Sequence, residues 1–327
     1  MSDDVLLAAL ESGDWRSGAE VAERLGVSRA AVWKRIERLR ERGYAIEAVA
    51  GRGYRLLRGP DLLLPEAIAR ARGTTRFAGE IVHRAEVDST SRLAADLARA
   101  GAAEGTTVVA ESQTAGRGRL GRTWSSPVGV NLYLSMVLRP SLAPSEVTAV
   151  SLVAAIAVLD TIEETCELRA EIKWPNDVLL TGRKVCGILT ELEAEAERVR
   201  FLVLGIGVNL NARIQDFPPE LRRKASSLRV ASGRRVDRVA FTGNLLRHLE
   251  EVYDAFLRGG FAAVRPRYES RHGLVGRRVR IEGGPIASGV VRGVDADGAL
   301  LVETPQGVAR VAAGEVSLQR AYRSTRG

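Results

Sequence analysis

The chain of 327 residues has two cysteines, three histidines and no run approaching the ~20 apolar residues that a membrane span requires. Cys166 and Cys186 show no CxxC spacing and no nearby histidine, which excludes a disulfide framework and a zinc site and leaves both as small buried apolar residues. The opening segment MSDDVLLAALESGDW is acidic and lacks the basic stretch and apolar run of a secretory signal, so a cytoplasmic protein with no membrane contact is expected. Lysine is almost missing: of 48 basic residues only four are Lys, at 34, 173, 184 and 224. The net charge of +8 therefore rests on arginine and is a weak pointer to an anionic partner. The converse says more. Where lysine survives such a bias, a compact ammonium is needed in place of a planar fork, which marks Lys173 and Lys184.

The length allows two or three domains with an ample core. Residues 1–58 have helical periodicity followed by a hairpin. VLLAAL is a first helix; Ser17 caps a second with Val21, Ala22 and Leu25 inward and Gly26 at its end. Ser28 caps a third, SRAAVWKRIERLRERG, whose Ala31, Val32, Ile36 and Leu39 form an apolar face opposite Arg29, Trp33, Lys34, Arg35, Arg38 and Arg42. With the short turn between them, the second and third helices fit a helix-turn-helix, and two strands around Gly51-Arg52-Gly53 make a wing. Residues 1–27 carry two basic and six acidic side chains, whereas residues 28–58 carry nine and three. Such segregation suits phosphate neutralisation, with Ser28, Arg29, Trp33, Lys34, Arg35 and Arg52 as the DNA-facing candidates. A helical protein-interaction domain with a solvated cationic face would show the same segregation.

Residues 59–75 read as a linker turning into a short helix. From about residue 80 the pattern is mixed: strand GEIVHRAEV, helix SRLAADLARAG, strands TTVVAES and NLYLSMVLRP, a long apolar helix, strands AEIKWPND, KVCGILTELEA and VRFLVLGIGVNL, then helix RVAFTGNLLRHLEEVYDAFLRGG and a shorter one around 261–271. After that come only strands and Gly-containing turns, a small barrel. The expected class is α+β and multidomain: a winged helix-turn-helix over 1–58, a catalytic domain over 59–274 and a β-barrel over 275–327.

Two segments carry chemistry. In TAGRGRLGRTW, Gly116, Gly118 and Gly121 permit positive φ and alternate with Arg117, Arg119 and Arg122, so the loop can wrap a carboxylate or phosphate. It lacks the GK[ST] of a P-loop and the helix offset of a dinucleotide fingerprint, and a basic surface loop has the same composition. In KWPND, Pro175 keeps Trp174 extended and Asn176-Asp177 forms a turn at a strand end, where Lys, Asn and Asp can hold a magnesium-phosphate or orient an amine; a plain hairpin turn is the alternative. GRKVCGI then returns Lys184 over the same crevice, and Gly187 would permit close approach of a ligand.

DSTS (88–91), Gln113, GRGRLGRTW, NLYLS, KWPND, GRKVCGIL and GIGVNL, in this order and behind a winged helix, resemble the biotin protein ligase family, and specifically its bifunctional ligase and biotin-operon repressor members, over about residues 5–320. The resemblance implies a central domain of the biotin/lipoate ligase type and a C-terminal SH3-like barrel. It implies that biotin attacks the α-phosphate of ATP, carried with Mg2+, to give biotinyl-5′-AMP and pyrophosphate, and that a lysine of a biotin carboxyl carrier domain of acetyl-CoA carboxylase or another carboxylase then takes the biotinyl group. Carried over by position, Ser89, Thr90, Ser91 and Gln113 hold the ureido head; Gly116, Arg117, Gly118 and Arg119 close over the adenylate; Lys184 binds carboxylate and phosphate oxygens, with Gly187 beside it. Asp177 orients or deprotonates the acceptor lysine, Asn176 and Asn209 lie near nucleotide and Mg2+, whose direct ligands stay unassigned, and Trp124 and Trp174 supply apolar walls. The adenylate is also the implied corepressor, favouring a homodimer on operator DNA. Ser91 departs from a common Asn and Leu120 from a frequent basic residue. Lipoate or octanoate attachment, and a DNA-binding biotin sensor without ligase activity, are the alternatives.

Overall fold

The computed structural model describes residues 3–10, 14–41, 44–58, 61–73, 76–77, 79–143, 146–195 and 198–318; Arg42 of the basic helix face and the last residues assigned to the barrel lie outside them. The chain divides into two compact units, residues 1–62 and 63–327.

In the first unit, helices α1 (Asp3–Leu10), α2 (Gly18–Leu25) and α3 (Arg29–Glu41) precede a hairpin of β1 (Ala45–Val49) and β2 (Gly53–Arg58). Local chemistry sets the boundaries. Ser17 Oγ accepts from Glu20 N–H and the Glu20 carboxylate accepts from Ser17 N–H, a reciprocal cap that satisfies two otherwise orphaned donors, and Gly26 ends α2 at φ 62°. Ser28 Oγ accepts from Ala31 N–H at 3.2 Å, starting α3. Leu6, Leu10, Val21, Leu25, Val32, Ile36 and Leu39 fill a small core. Arg16 and Tyr54 exchange both backbone hydrogen bonds at 2.9 and 2.8 Å, adding a third, single-residue strand to the wing. Gly53 is required there, because a Cβ would stand 2.0 Å from Arg16 O.

The second unit begins with α4 (Pro65–Arg72) and builds on a seven-stranded sheet: β3 (Ile81–Val87), β4 (Thr107–Gln113), β5 (Leu132–Leu138), β6 (Glu171–Lys173), β7 (Asp177–Leu180), β8 (Arg183–Glu195) and β9 (Arg198–Val208), in spatial order β3-β4-β5-β9-β8-β7-β6. Only β3 and β4 are parallel. Alternation along β5 and β9 divides the sheet into two faces. Leu134, Met136, Leu204 and Ile206 pack toward α6 (Val147–Cys166) and α8 (Arg238–Glu269), while Val137, Phe201 and Val203 pack with Ala94 and Ala98 of α5 (Thr90–Arg99). α6 is buried almost all round, which accounts for its continuous apolar sequence. Gly259 and Gly260 break α8, Gly260 at φ 64°, into the long and short helices the sequence suggests.

In the central sheet the sequence reading has one strand too few, and in the C-terminal sheet GVARVAAGEVSL, read as one strand, is two. Residues 177–180 form β7, so the turn lies at 174–176, with a cis Trp174–Pro175 bond, and Asp177 begins a strand opposite Lys173. The C-terminal strands β10 (Arg278–Glu282), β11 (Ser288–Val294), β12 (Leu300–Thr304), β13 (Gly307–Val311) and β14 (Glu315–Leu318) form an antiparallel sheet in the order β13-β12-β11-β10-β14. Their apolar residues join the central core, so the two sheets share one interior. Among the described residues, no helix is long and apolar enough to cross a membrane.

Candidate active site

The strand registers build the site. Tyr133 of β5, Gly207 of β9, Gly187 of β8, Asp177 of β7 and Lys173 of β6 stand side by side in one cross-strand row. Ser135, Gly205 and Leu189 form a second row. Residues in such rows share a face of the sheet. A cavity lies on this face, and the N-terminus of α5 and the Gly/Arg loop enclose it.

One end of the cavity is a buried polar wall. Thr90 donates to Gln113 Oε1 through its N–H at 2.9 Å and its hydroxyl at 3.1 Å. Ser135 Oγ donates to Thr90 Oγ1 at 2.8 Å and lies 3.0 Å from Ser91 Oγ. Gln113 Nε2 donates to Ser126 Oγ at 2.9 Å. Donors and acceptors so fixed suit a small head group that offers both N–H and C=O. The other end is cationic: Lys184 Nζ lies 5.3 Å from the Trp124 ring centroid and 2.6 Å from Oδ1 of Asp177, which sits behind the cavity lining with Lys173 Nζ 3.8 Å from its Oδ2. Asn176 Nδ2 donates to Ile188 O at 2.7 Å, which fixes the turn against β8.

The Gly/Arg loop is a small hairpin, with Gly118 N–H donating to Arg122 O at 2.7 Å and Trp124 N–H to Gly116 O at 2.9 Å. Arg117 pairs with Glu191 at 2.7 Å, Arg122 pairs through both terminal nitrogens with Glu315 of β14, and Arg119 donates to Gly314 O at 3.4 Å. The Trp124 indole lies on the glycine row: a Cβ on Gly207 would stand 2.6 Å from it and one on Gly187 2.9 Å.

Residues 84–209 match the biotin/lipoate A/B protein ligase family, residues 4–55 an HTH domain and residues 274–319 the biotin protein ligase C terminal domain. The bifunctional ligase/repressor BirA of Bacillus subtilis strain 168 is 38% identical over 318 residues, 97% of this chain and 98% of its own. BirA of Escherichia coli K12 is 34% identical over 97% of each chain. The biotin protein ligase of Aquifex aeolicus, solved in complex with biotin and ATP, is 32% identical with a TM-score of 0.65 and spans 74% of this chain and 99% of its own. The chain belongs to the biotin protein ligase family. With the family shown, the α+β multidomain expectation holds: an N-terminal HTH domain, a central ligase fold and the family's C-terminal domain.

The structure brings Thr90, Ser91, Gln113, Arg117, Gly118, Arg119, Trp124, Asn176, Lys184 and Gly187 of this ligase-family chain to one cavity. Several expectations change. Of the loop glycines only Gly121 has a positive φ, 72°; the other left-handed residue is Leu120, at 54°. Gly116 is needed for space instead, since a Cβ would stand 2.5 Å from Trp124 O. The space above Gly187, expected to admit a ligand, holds the Trp124 ring and the Lys184 side chain. Trp174 is not a cavity wall: it is fully buried and its indole N–H donates to Gly298 O at 3.0 Å, pinning the Lys173–Asp177 turn to the turn between β11 and β12. Asn209 is also buried, its amide donating to Ser226 O at 3.0 Å. Ser89 lies outside the cavity lining, fully buried with an unpartnered Oγ. Burial pushes the Cys186 thiol far above its ordinary range, as expected of an apolar residue.

Sequence reasoning missed Ser126, Ser135, Gly205 and Gly207 as site residues. Ser135 and the two glycines sit in quoted motifs, but only strand register shows that they face the cavity.

In the first unit, Ser28, Arg29, Trp33, Lys34 and Arg52 are exposed, Trp33 to 54%, and Arg35 is half-buried. Trp15 lies under the wing arginines, with its ring centroid 4.9 Å from Arg55 and 6.0 Å from Arg52. Arg55 also pairs with Glu47 at 2.7 Å.

Proposed function

We propose that this protein is an ATP-dependent biotin protein ligase that also represses transcription in response to biotin. The observation that carries the ligase reading is a single cavity with a hydrogen-bonding wall of Thr90, Ser135 and Gln113 at one end and Lys184 and Arg119 at the other. A ureido group matches the wall, and a carboxylate meeting an α-phosphate concentrates negative charge where the cations stand. Biotin's carboxylate oxygen attacks the α-phosphorus, pyrophosphate leaves, and a lysine of a biotin carboxyl carrier domain attacks the resulting mixed anhydride.

Thr90, Ser91 and Gln113 bind the biotin head in this reading, with Ser89 buried behind them. Gly116, Arg117, Gly118, Arg119 and Trp124 form the loop over the adenylate, beside Gly187. Lys184 neutralises the reacting oxygens and Asp177 receives the acceptor amine. Asn176 faces the nucleotide, whereas the buried amide of Asn209 supports the neighbouring backbone. Among the described residues no three His, Cys, Asp or Glu side chains could jointly hold a metal, so Mg2+ would be held chiefly by the phosphates it arrives with.

For the repressor activity we assign residues 1–58 to operator DNA, 59–274 to catalysis and 275–327 to the C-terminal part, with Ser28, Arg29, Trp33, Lys34, Arg35 and Arg52 facing the duplex. Biotinyl-5′-AMP acts as corepressor by favouring a homodimer whose two winged helices reach two half-sites. The exposed Trp33 among cations on α3 supports the assignment of that helix to the duplex.

Pyrophosphate exchange into ATP with biotin, lipoate, octanoate or no acid tests the ligase reading. Exchange with biotin alone is expected; exchange with lipoate or octanoate would replace the substrate, and none with any acid would leave a DNA-binding regulator. Sedimentation with and without biotin plus ATP tests dimerisation, and an unchanged mass together with unchanged operator affinity would overturn the corepressor step.

A further inference from the structure

We propose that Lys173 is a positioning residue for the transfer step, holding Asp177 by one carboxylate oxygen so that the other is open to the acceptor amine when Lys184 turns to the reacting oxygens. The inference rests on the ligase reading above.

Lys184 faces two anionic demands. It lines the cavity, yet its Nζ lies 2.6 Å from Asp177 Oδ1, so in this state the ammonium is committed to the carboxylate. The oxygens of a forming adenylate compete with Asp177 for this ammonium, and its departure removes the closest cation from a carboxylate that is only 17% exposed. Lys173 is already on the other side, 3.8 Å from Oδ2. Its place is set by backbone: Lys173 and Asp177 are register partners across the β6–β7 turn, and Trp174 inside that turn is anchored to Gly298 O. Lys184 reaches the same carboxylate from β8. Lys173 is thus the fixed partner and Lys184 the exchangeable one. The preference for lysine at both positions in an arginine-rich chain fits, because a bidentate guanidinium would occupy both oxygens at once.

In the transfer step the acceptor's ε-nitrogen adds to the acyl carbon, the C–N bond forms, and the bond from that carbon to the bridging phosphate oxygen breaks. AMP leaves with the electron pair, and the surplus proton on nitrogen passes to Asp177 Oδ1. Lys173 on Oδ2 keeps Oδ1 aimed at the amine during this exchange.

The test uses the full-length enzyme and a carrier domain that the wild type biotinylates, with single-turnover transfer from enzyme-bound biotinyl-5′-AMP measured beside pyrophosphate exchange. K173M should slow transfer by about tenfold or more while changing exchange by less than about threefold, and K173R, whose guanidinium would occupy both carboxylate oxygens, should not recover the loss. In a D177N background K173M should have no further effect on transfer, since Lys173 acts through Asp177. Equal losses in both steps, full additivity with D177N, or an unchanged transfer rate would each overturn the proposal. Absence of biotin-dependent exchange in the wild type would instead remove the ligase reading, and the proposal with it.

Discussion

The two ends of the cavity are held by opposite means. The hydroxyl wall is buried and its groups are mutually satisfied, from Ser91 through Ser135 and Thr90 to Gln113. Behind it, Glu111 on β4 accepts from Leu63 N–H at 2.9 Å, lies 3.1 Å from His83 Nε2 and pairs at 2.6 Å with Arg238, which is itself fully buried and donates to Asn131 O. The Gly/Arg loop is held mainly by the ion pairs Arg117–Glu191 and Arg122–Glu315, whose arginines are 44% and 64% exposed. Buried networks cost several kcal/mol to break and exposed pairs about 0.2–1 kcal/mol. One end of the site is therefore prebuilt, and the ion pairs that hold the loop over the other cost little to break.

This contrast can be broken most severely at Arg238. Arg238→Met leaves Glu111 charged and buried and should cost about 3–5 kcal/mol of stability, measured by denaturant unfolding; a loss below about 1 kcal/mol would show that the buried side is not held as described. Lys184→Ala should remove about 2–4 kcal/mol from the adenylation barrier by analogy with loss of a preorganised donor. Near-normal exchange would refute its role. The opposite edge of the sheet has an acid weakness of its own. His272 lies beside β6 with both ring nitrogens unpartnered, and burial pushes its pKa down to about 4. The unfolded state therefore binds the extra proton first. The stability involved is present above about pH 6.5 and is lost toward pH 4, about 3 kcal/mol in all. His272→Phe should flatten that part of the stability-pH curve, and an unaltered slope would assign the acid sensitivity elsewhere. The smallest effect belongs to the loop: Arg122→Ala should change stability by less than about 1 kcal/mol yet speed release of the adenylate. An unchanged intermediate lifetime would show that the Glu315 pair does not hold the loop.

Much of the local structure could be read from the chain. Ser17, Glu20, Gly26 and Ser28 mark helix ends because their signals act within a few residues. The loop was readable as composition but not as conformation: any of three glycines could have taken the left-handed φ, and packing gave it to Gly121 and to Leu120, leaving Gly116 to make room for the Trp124 carbonyl. Lys184 and Asp177 were readable as neighbours because one tight turn separates their strands. The partners of Arg117 and Arg122 were not, since Glu191 and Glu315 lie far along the chain.

The sequence by itself determined the helix caps, the faces of α2 and α3, the motif order and the concentration of arginine and glycine around one loop, all of which depend on neighbours in the chain. Tertiary structure alone decided that Tyr133, Gly207, Gly187, Asp177 and Lys173 form one row, that Trp124 fills the space above two glycines, and that Trp174 belongs to the interior. The reason is physical. Register across five strands and the packing of an indole on a bare backbone depend on which distant segments meet, and no local propensity encodes that meeting.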